Sequence, residues 1–298
     1  HWGDLYRNLR KRVPAHAYHG GSEVIGLRQA HRSAVVTTAD GGEHVFDLVV
    51  AADGYNSLGR QLLYPELQLE YAGYVGWRGL LEESALECSG LLDDVVVGVG
   101  STSMQSVFYF VPGAEGNRPG QRLVNWLIYY RVPAGDLPDI LGRDDGSASV
   151  PPGRMHAEQV ARLNSLARRE LPGRFADICT ASRHTFLQAI FEAGVPDYAQ
   201  GRICLAGDAG ALASPMSTAG AMKAMNDALT LGQALAPADD IDSQLRDWAA
   251  DRKQQGNYLY RLGQHRGREV VMTDKDWSGM DEVAFGSWFQ NANTLDEG

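Results

Sequence analysis

Cysteine is scarce in this sequence. Its 298 residues contain three cysteines, Cys88, Cys179 and Cys204, and no CxxC pair. An odd number of cysteines without that spacing argues against a disulfide framework and against a zinc site. Because all three lie in hydrophobic or strand-like surroundings, we interpret them as reduced, buried thiols of a cytoplasmic protein.

Long apolar runs and an excess of basic residues are also missing. No run approaches the roughly 20 apolar residues that a membrane-spanning helix needs, and no charged-then-apolar signal peptide opens the chain. The 27 Lys and Arg residues are outnumbered by 37 Asp and Glu residues, which gives a formal net charge of -10. General nucleic-acid binders and polybasic membrane anchors need clustered positive charge. With 44% hydrophobic residues, the chain is predicted to be globular and to act on a small molecule.

Hydrophobic patterning divides the chain into three segments. Residues 1–70 begin with an amphipathic helix and continue as three strands. The last strand ends before Asp53 in the apolar run LVVAA, which is typical of a strand buried on both faces of a parallel sheet. Residues 71–192 are rich in β-branched and aromatic residues punctuated by Gly and Pro, which predicts an antiparallel sheet. Residues 193–298 contain a buried parallel-type strand, GRICLAGD, and then helices, the first of which runs to about Leu235. We therefore predict a discontinuous α/β domain that is interrupted by a β-rich domain.

The turn at Gly207-Asp208 ends the buried strand of the third segment. A carboxylate at this place can accept hydrogen bonds from sugar-like hydroxyls. After Pro215, the helix in STAGAMKAMNDA starts with small residues, so its unpaired N–H groups can lie close to a ligand that carries negative charge. An isoalloxazine ring with charge at its N1/O2 edge suits such a helix end, and a phosphate suits it too. Taken alone, the Gly-Asp pair favours an ordinary strand-to-helix turn with an Asp cap.

A second turn changes that interpretation. Asp53-Gly54 follows a separate apolar strand in AADGYNSLGR, with Ser57 and Arg60 further on. Together with GRICLAGDAGALASPMSTAGAMKAMNDA, this stretch resembles the DG and GD motifs of the FAD-dependent aromatic hydroxylases, the flavoprotein monooxygenases related to p-hydroxybenzoate hydroxylase. The resemblance covers essentially the whole chain. The stretches YAGYVGWRG and GxxKAxxDA look most like the 2,6-dihydroxypyridine 3-hydroxylase branch of that family.

The resemblance implies a fold and a reaction. The fold is an α/β, Rossmann-like FAD-binding domain of the p-hydroxybenzoate hydroxylase type, N-terminally incomplete, with an inserted antiparallel β-sheet substrate domain. In the reaction, NADH or NADPH reduces FAD, O2 adds to the flavin as a C4a-hydroperoxide, and a small hydroxylated aromatic or pyridine ring is hydroxylated. The protein then has to orient the ring, exclude water and favour the phenolate-like substrate.

The resemblance also implies cofactor-binding residues in the GD motif. Asp208 would bind the ribityl chain of FAD, and Gly207 would permit the turn. Pro215 and the helix start near Gly220 would approach the flavin ring.

In the DG motif, the resemblance implies a second set of cofactor-binding residues. Asp53 and Gly54 would lie near the pyrophosphate, where this motif is associated with both FAD and NAD(P)H. Arg60 would support the loop electrostatically.

The chain departs from the family pattern at several places. Ala51, Ala211 and Met222 stand where Gly, His and Asn are usual, although the pyridine-hydroxylase branch also tolerates an apolar residue at 211. The larger departure concerns the GxGxxG loop that holds the ADP part of FAD in this family. The stretch GVGSTS at 98–103 has only two of its glycines and lies among β-rich segments, so we do not interpret it as that loop. Because His1 is not a start methionine, we expect the chain to begin after it.

On the substrate side, three residues are candidates for catalysis. Arg78 ends an apolar strand and would favour an anionic partner, which a structural carboxylate would also satisfy. His184 could deprotonate a hydroxyl near neutral pH or merely cap a strand. Tyr74 belongs to a run of strand aromatics, which more often pack in a core than bind a substrate. The remaining polar or aromatic candidates are Tyr71, Trp77, Tyr109 and Trp126.

The leading hypothesis is an FAD- and NAD(P)H-dependent monooxygenase that uses O2 on a small aromatic or N-heteroaromatic ring. No nucleic-acid, membrane or metal partner is predicted, and a homodimer is implied only by the pyridine-hydroxylase branch. Two alternatives stay open. The first is a related flavoprotein epoxidase or a hydroxylase of another ring, and the second is an inactive fragment that lacks the ADP-binding unit.

Overall fold

The computed structural model describes residues 2–87, 89–143, 147–236, 240–277 and 279–295. Its strands are β1 (Val24–Gln29), β2 (Ala34–Thr38), β3 (Glu43–Phe46), β4 (Val49–Ala51), β5 (Glu70–Glu82), β6 (Val97–Ser101), β7 (Met104–Val111), β8 (Leu123–Arg131), β9 (Ser149–Val150), β10 (Phe186–Gly194), β11 (Ala199–Gln200), β12 (Ile203–Leu205) and β13 (Ala211–Leu212). Its helices are α1 (Trp2–Arg10), α2 (Leu58–Leu63), α3 (Leu137–Leu141), α4 (Ala157–Glu170), α5 (Gly173–Ala181), α6 (Gly220–Leu235), α7 (Ile241–Val270) and α8 (Glu282–Ala292).

The chain forms two compact units. The first contains residues 71–190 and 267–293, together with the first residues up to Leu5, and the second contains residues 6–70 and 191–266. The sequence had placed all of 193–298 with the second unit, whereas residues 267–293 belong to the first. The reason is local packing, since Met272 and Trp277 lie against Gly73 and Gly100 of the first unit.

An antiparallel sheet dominates the first unit. Its strands follow the order β10-β5-β8-β7-β6, and β9 also pairs with β10. One face of the sheet is buried against helices. On it, the Phe108 ring lies 4.6 Å from the ring of Phe175 in α5, and Trp126 Nε1 donates a hydrogen bond to Ser182 Oγ at 2.8 Å. The stretch GVGSTS belongs to the β6–β7 hairpin, so it is not a nucleotide-binding loop.

The second unit has two small sheets, one antiparallel with the order β1-β2-β3 and one with the order β11-β12-β4. In the latter, β12 and β4 run parallel. Cys204 and Leu205 of β12 lie at the centre of an apolar core to which α6 contributes Leu231 and α7 contributes Trp248. This core fixes the positions at which β4 and β12 end.

The strand predicted to end in LVVAA is in fact two strands. Its first part, β3, pairs with β2, and its second part, β4, pairs with β12. The expectation that this strand is buried on both faces is wrong at Val50, which is 42% exposed. In the described sheet β4 is an edge strand, so the apolar run does not have a neighbour on each side.

Three further observations on the described residues concern membrane spans, metal ions and cysteine. None of the described helices is long and apolar enough to cross a membrane, and the described residues contain no His, Cys, Asp and Glu grouping that could hold a metal ion. Cys179 and Cys204 are free and buried. Burial raises the pKa of the Cys204 thiol to about 12, which keeps it protonated and unreactive. Cys88 lies outside the described residues.

Candidate functional site

The two glycine-aspartate turns lie side by side in the second unit. Strands β4 and β12 are parallel neighbours, with Ala51 opposite Leu205. Asp53-Gly54 follows the first strand and Gly207-Asp208 the second. The two turns therefore share the carboxyl edge of one sheet, which is where open α/β sheets bind ligands.

In the first turn, both oxygens of the Asp53 carboxylate accept hydrogen bonds from the protein itself. Asp53 Oδ1 accepts a hydrogen bond from Ser57 Oγ at 2.5 Å, and Oδ2 accepts one from the Gly59 N–H at 3.1 Å. Ser57 is the N-cap of α2, because its Oγ accepts from the Arg60 N–H at 2.9 Å. Gly54 has φ +74°, a left-handed conformation that favours glycine. The Asp53 side chain thus shapes the turn and the start of α2.

Helix α2 approaches β4 closely. A Cβ added to Gly59 would lie 2.3 Å from the Cβ of Ala51, far inside van der Waals contact. Only glycine therefore fits at 59 while 51 is alanine, and Ala51 stands where the family pattern has glycine.

Arg60 links the two turns. Its side chain is buried, at 3% exposure, and its Nη1 donates to the Asp208 carbonyl oxygen at 2.9 Å. Its Nη2 donates to the carbonyl oxygen of Tyr55. Desolvation lowers the pKa of Arg60, against the nearby negative charge of Asp53 and Asp208. One guanidinium therefore fixes the backbone of both turns.

In the second turn, the carboxylate is left free. Gly207 has φ +60°, and Asp208 is exposed. Within the described residues, no group donates a hydrogen bond to the Asp208 carboxylate. Although the residue is exposed, the protein around it removes part of the water shell of the carboxylate and so raises the pKa of Asp208, while the charges of Lys223 and Arg60 lower it. Asp208 can therefore accept hydrogen bonds from a ligand.

A tight loop leads from this turn to α6. Pro215 opens a 3-10 turn over Pro215–Ser217, and Thr218 follows with φ +58°, a strained conformation for a β-branched residue. Arg266 Nη1 donates to the carbonyl oxygens of Met216 and Ser217, at 2.9 and 3.1 Å. The loop is therefore held in place by Arg266 of α7.

The start of α6 faces Asp208. The N-cap Ala219 supplies no side-chain hydrogen bond to the helix, so the first N–H groups are not capped by a side chain. A Cβ at Gly220 would lie 3.9 Å from Asp208 Oδ1. A free carboxylate and the positive end of a 16-residue helix therefore face the same space.

Sequence reasoning missed two residues beneath the turn, Lys223 and Asp227. Lys223 Nζ donates to the Gly207 carbonyl oxygen at 2.7 Å and to Asp227 Oδ2 at 2.8 Å, and the Gly207 N–H donates to the same oxygen of Asp227 at 2.9 Å. Both side chains are buried. A signal for them was available, because they are the only charged residues of α6 and are spaced i, i+4.

The candidate catalytic residues lie in the first unit, and two of them share a face of its sheet. Tyr74 and Arg78 alternate with Trp77 along β5, and Tyr129 of β8 is paired with Gly76 on the same face. The Tyr74 and Tyr129 rings meet edge to face at 5.7 Å. Burial raises the pKa of Tyr129 while the charge of Arg78 lowers it. Arg78 and the two tyrosines therefore form one cluster.

The other candidates are placed differently. His184 lies in an exposed turn before β10, with its Nδ1 3.9 Å from where a Cβ of Gly153 would be, so it is outside the sheet face that carries Tyr74 and Arg78. Trp77 and Trp126 point to the face that is buried against helices. For these two tryptophans the core interpretation holds.

Two family models match the chain. One, described as FAD binding domain-like, matches residues 71–192. The other, described as FAD binding domain, matches residues 188–254 and so includes the second turn and α6. These matches confirm the predicted FAD-binding character of the chain.

Characterised enzymes are similar in sequence. The chain is 27% identical over 277 residues to the 2,6-dihydroxypyridine 3-monooxygenase of Paenarthrobacter nicotinovorans. The aligned region covers 88% of this chain and 66% of that enzyme. It is 28% identical over 233 residues to a FAD-dependent urate hydroxylase of Klebsiella pneumoniae. That aligned region covers 78% of this chain and 54% of the enzyme. The chain thus spans between about half and two thirds of the length of these relatives.

A solved structure shows the same fold. The structure of 2,6-dihydroxypyridine-3-hydroxylase from Arthrobacter nicotinovorans superposes with a TM-score of 0.79 at 24% sequence identity, covering 92% of this chain and 71% of that one. The predicted fold class is therefore confirmed. So is the predicted resemblance to the FAD-dependent aromatic hydroxylases.

Proposed function

We propose that the protein carrying this chain, a relative of the FAD-dependent aromatic hydroxylases, is an FAD- and NAD(P)H-dependent monooxygenase that hydroxylates a small hydroxylated aromatic or pyridine ring. The observation that carries the proposal is the unoccupied hydrogen-bonding capacity of Asp208 beside the uncapped start of α6. Both lie inside a matched FAD-binding segment.

The residues of the second turn fit FAD. In the proposal, the Asp208 carboxylate accepts hydrogen bonds from ribityl hydroxyls, which bind a charged acceptor more strongly than a neutral one. Gly207 gives the turn its left-handed residue. Pro215 and Gly220 would border the ring, and the free N–H groups at the start of α6 would stabilise negative charge on it.

The first turn has a different role in the proposal. Because both oxygens of Asp53 are bonded within the protein, Asp53 acts by holding the backbone at Gly54 near the pyrophosphate, and it does not bind through its own carboxylate. Arg60 holds this backbone relative to the Asp208 peptide. The electron donor, NADH or NADPH, is assigned to the same region by the resemblance of the motif.

The substrate is assigned to the polar face of the sheet in the first unit. Arg78 would hold an anionic or hydroxylated ring. Tyr74 is buried with its ring edge to face on Tyr129, so it would act by supporting this part of the sheet. His184 lies in an exposed turn outside that face, so the proposal gives it no contact with the ring. Bound FAD supplies the oxygen-transfer chemistry with electrons from the nicotinamide nucleotide, and Arg78 orients the ring and favours its phenolate-like form.

The first experiment is a titration of FAD into the protein, followed by flavin absorbance and fluorescence. We expect a perturbed spectrum for the wild type and a loss of affinity of about tenfold or more for Asp208→Ala, since a charged hydrogen bond contributes roughly 1.5–3 kcal/mol. Asp247→Ala, at an exposed position of α7, is the matched control. Equal FAD affinity of the Asp208→Ala variant and the wild type would overturn the proposal.

The reaction is tested with the loaded protein. Hydroxypyridines and hydroxybenzoates should stimulate NAD(P)H oxidation and should gain one oxygen atom from labelled O2. Turnover of an alkene in place of such rings would instead identify an epoxidase.

A further inference from the structure

A buried ion pair lies directly beneath the turn that is proposed to bind the cofactor. The side chains of Lys223 and Asp227 are 2% and 1% exposed, and their Nζ and Oδ2 atoms are 2.8 Å apart. A buried pair of this kind is poor support for stability, because the desolvation of both charges can exceed their attraction and an apolar pair of similar volume often serves as well. Stability alone therefore does not explain why an ion pair is buried at this position.

The pair bonds the backbone of Gly207. Lys223 Nζ donates to the carbonyl oxygen of Gly207, and Asp227 Oδ2 accepts from the N–H of the same residue. Both polar groups of one left-handed glycine are therefore held by one ion pair. The next residue in the chain is Asp208, so the pair fixes the peptide from which the proposed ligand carboxylate projects.

The ammonium also acts on Asp208 by its charge. Shielding from water raises the pKa of Asp208, and Lys223 is the strongest of the charges that lower it. The reverse effect exists too, because Asp208 raises the pKa of the desolvated Lys223. The charge on Lys223 thus opposes the shielding of this carboxylate.

Other charged groups pack against the pair from each neighbouring element. Arg60 of α2 adds a second cation near Asp208. Arg252 of α7 lies 3.8 Å from Asp227 Oδ1, so the carboxylate of the pair keeps a cation on both sides. Before β11, the ring of Tyr198 lies 5.1 Å from Lys223 Nζ, where its face favours the ammonium.

We propose that Lys223 is a positioning residue of the cofactor site, whose ammonium, held by Asp227, fixes the Gly207 peptide and places a positive charge beneath the turn from which Asp208 meets its ligand. The proposal rests on the proposed function, since the ligand of Asp208 is taken to be FAD. It concerns a residue that touches neither cofactor nor substrate and acts only through Gly207 and Asp208.

The decisive measurement is the titration of the Asp208 carboxyl by NMR in the ligand-free protein. The main variant is the double substitution Lys223→Met and Asp227→Asn, which removes both charges, leaves no lone buried ion, and keeps an acceptor for the Gly207 N–H. We expect its Asp208 midpoint to rise by about 0.5–1 pH unit. Lys253→Met, which removes an exposed positive charge from α7, is the matched control and should leave the midpoint unchanged.

The single substitution Asp227→Asn separates charge from packing. Loss of Asp227 lowers the pKa of Lys223 further, but in the acid range where Asp208 titrates Lys223 keeps its proton. The Asp208 midpoint should therefore stay at or below that of the wild type. A midpoint that rises as far as in the double variant would assign the effect to packing and overturn the proposal. An unchanged midpoint in the folded double variant would overturn it as well, and so would failure of the double variant to fold while Asp227→Asn folds, because the pair would then be merely structural.

Binding of FAD gives the second readout. At pH 7 the double variant should bind FAD about fivefold to tenfold more weakly than the wild type, and the loss should grow as the pH falls, because Asp208 then becomes protonated. If the wild type binds no FAD, the proposed function fails, while the carboxyl titration still decides the role of Lys223. If FAD binds equally to both proteins, the positioning role fails and the proposed function stands.

Discussion

The turns after β4 and β12 contain the same two residue types, and they use the carboxylate in opposite ways. In the first, Asp53 accepts hydrogen bonds from Ser57 and Gly59 and so shapes the start of α2. In the second, Asp227 accepts the hydrogen bond of the Gly207 N–H, and no donor among the described residues bonds the Asp208 carboxylate. The difference teaches that the carboxylate of an aspartate in a turn is available to a ligand only where another group already satisfies the backbone.

The largest expected effect comes from breaking the link between the turns. Arg60→Met removes hydrogen bonds to the Asp208 and Tyr55 carbonyl oxygens, so we expect the free energy of unfolding to fall by about 3 kcal/mol. Urea unfolding measures this. The exposed Arg28, which makes a 3.9 Å ion pair with Glu43, is the control, and Arg28→Met should change stability by less than about 0.5 kcal/mol. Equal effects of the two substitutions would show that Arg60 does not join the turns.

The second prediction tests the close approach that belongs to the first turn alone. Gly59→Ala places a methyl group 2.3 Å from the Cβ of Ala51, and overpacking of this kind costs about 1–3 kcal/mol. Adding Ala51→Gly removes the clashing atom. The double variant should therefore regain most of the loss in thermal or urea unfolding, and additive losses would place the strain elsewhere.

A matched pair of alanine substitutions compares the two aspartates directly. Asp53→Ala loses the bonds that order the start of α2 and should lower the free energy of unfolding by about 1 kcal/mol. Asp208→Ala loses no hydrogen bond within the described residues and should stay within about 0.5 kcal/mol of the wild type. For FAD affinity the order should reverse, with the larger loss at Asp208. Urea unfolding and flavin fluorescence on the same two variants decide this, and parallel losses in both assays would remove the distinction between the turns.

The smallest expected effect is a pH dependence that belongs to the second turn. The folded protein raises the pKa of Asp208 above its ordinary value of 3.8, so between that value and the raised pKa the folded state binds more protons than the unfolded state. The contribution of Asp208 to the free energy of unfolding should therefore fall as the pH rises from 3.8 through the raised pKa, relative to a variant that lacks this carboxyl. Asp208→Asn should lack this decline, which urea unfolding at a series of pH values would reveal. A wild-type profile that matches the variant throughout would contradict the prediction.

Local sequence was enough to predict most elements. The apolar run before Asp53, the strand before Gly207 and the helix to about Leu235 are all present as β4, β12 and α6, because periodicity and turn residues act over a few neighbouring positions. The split of one predicted strand into β3 and β4 was not predicted, since it depends on which sheet each half joins. The place of residues 267–293 in the first unit was missed for the same reason.

The sequence by itself determined that two aspartate-containing turns follow two strands and that a helix with a small first residue comes after one of them. Only the tertiary structure decided that the Asp53 carboxylate is hydrogen-bonded and that the Asp208 carboxylate has no donor among the described residues. It also decided that Arg60 donates to a carbonyl 148 positions away, and that Lys223 and Asp227 bond the backbone of Gly207. Turn and helix preferences are encoded in adjacent residues, whereas the partner of a buried charge is set by whichever distant backbone groups packing leaves unsatisfied.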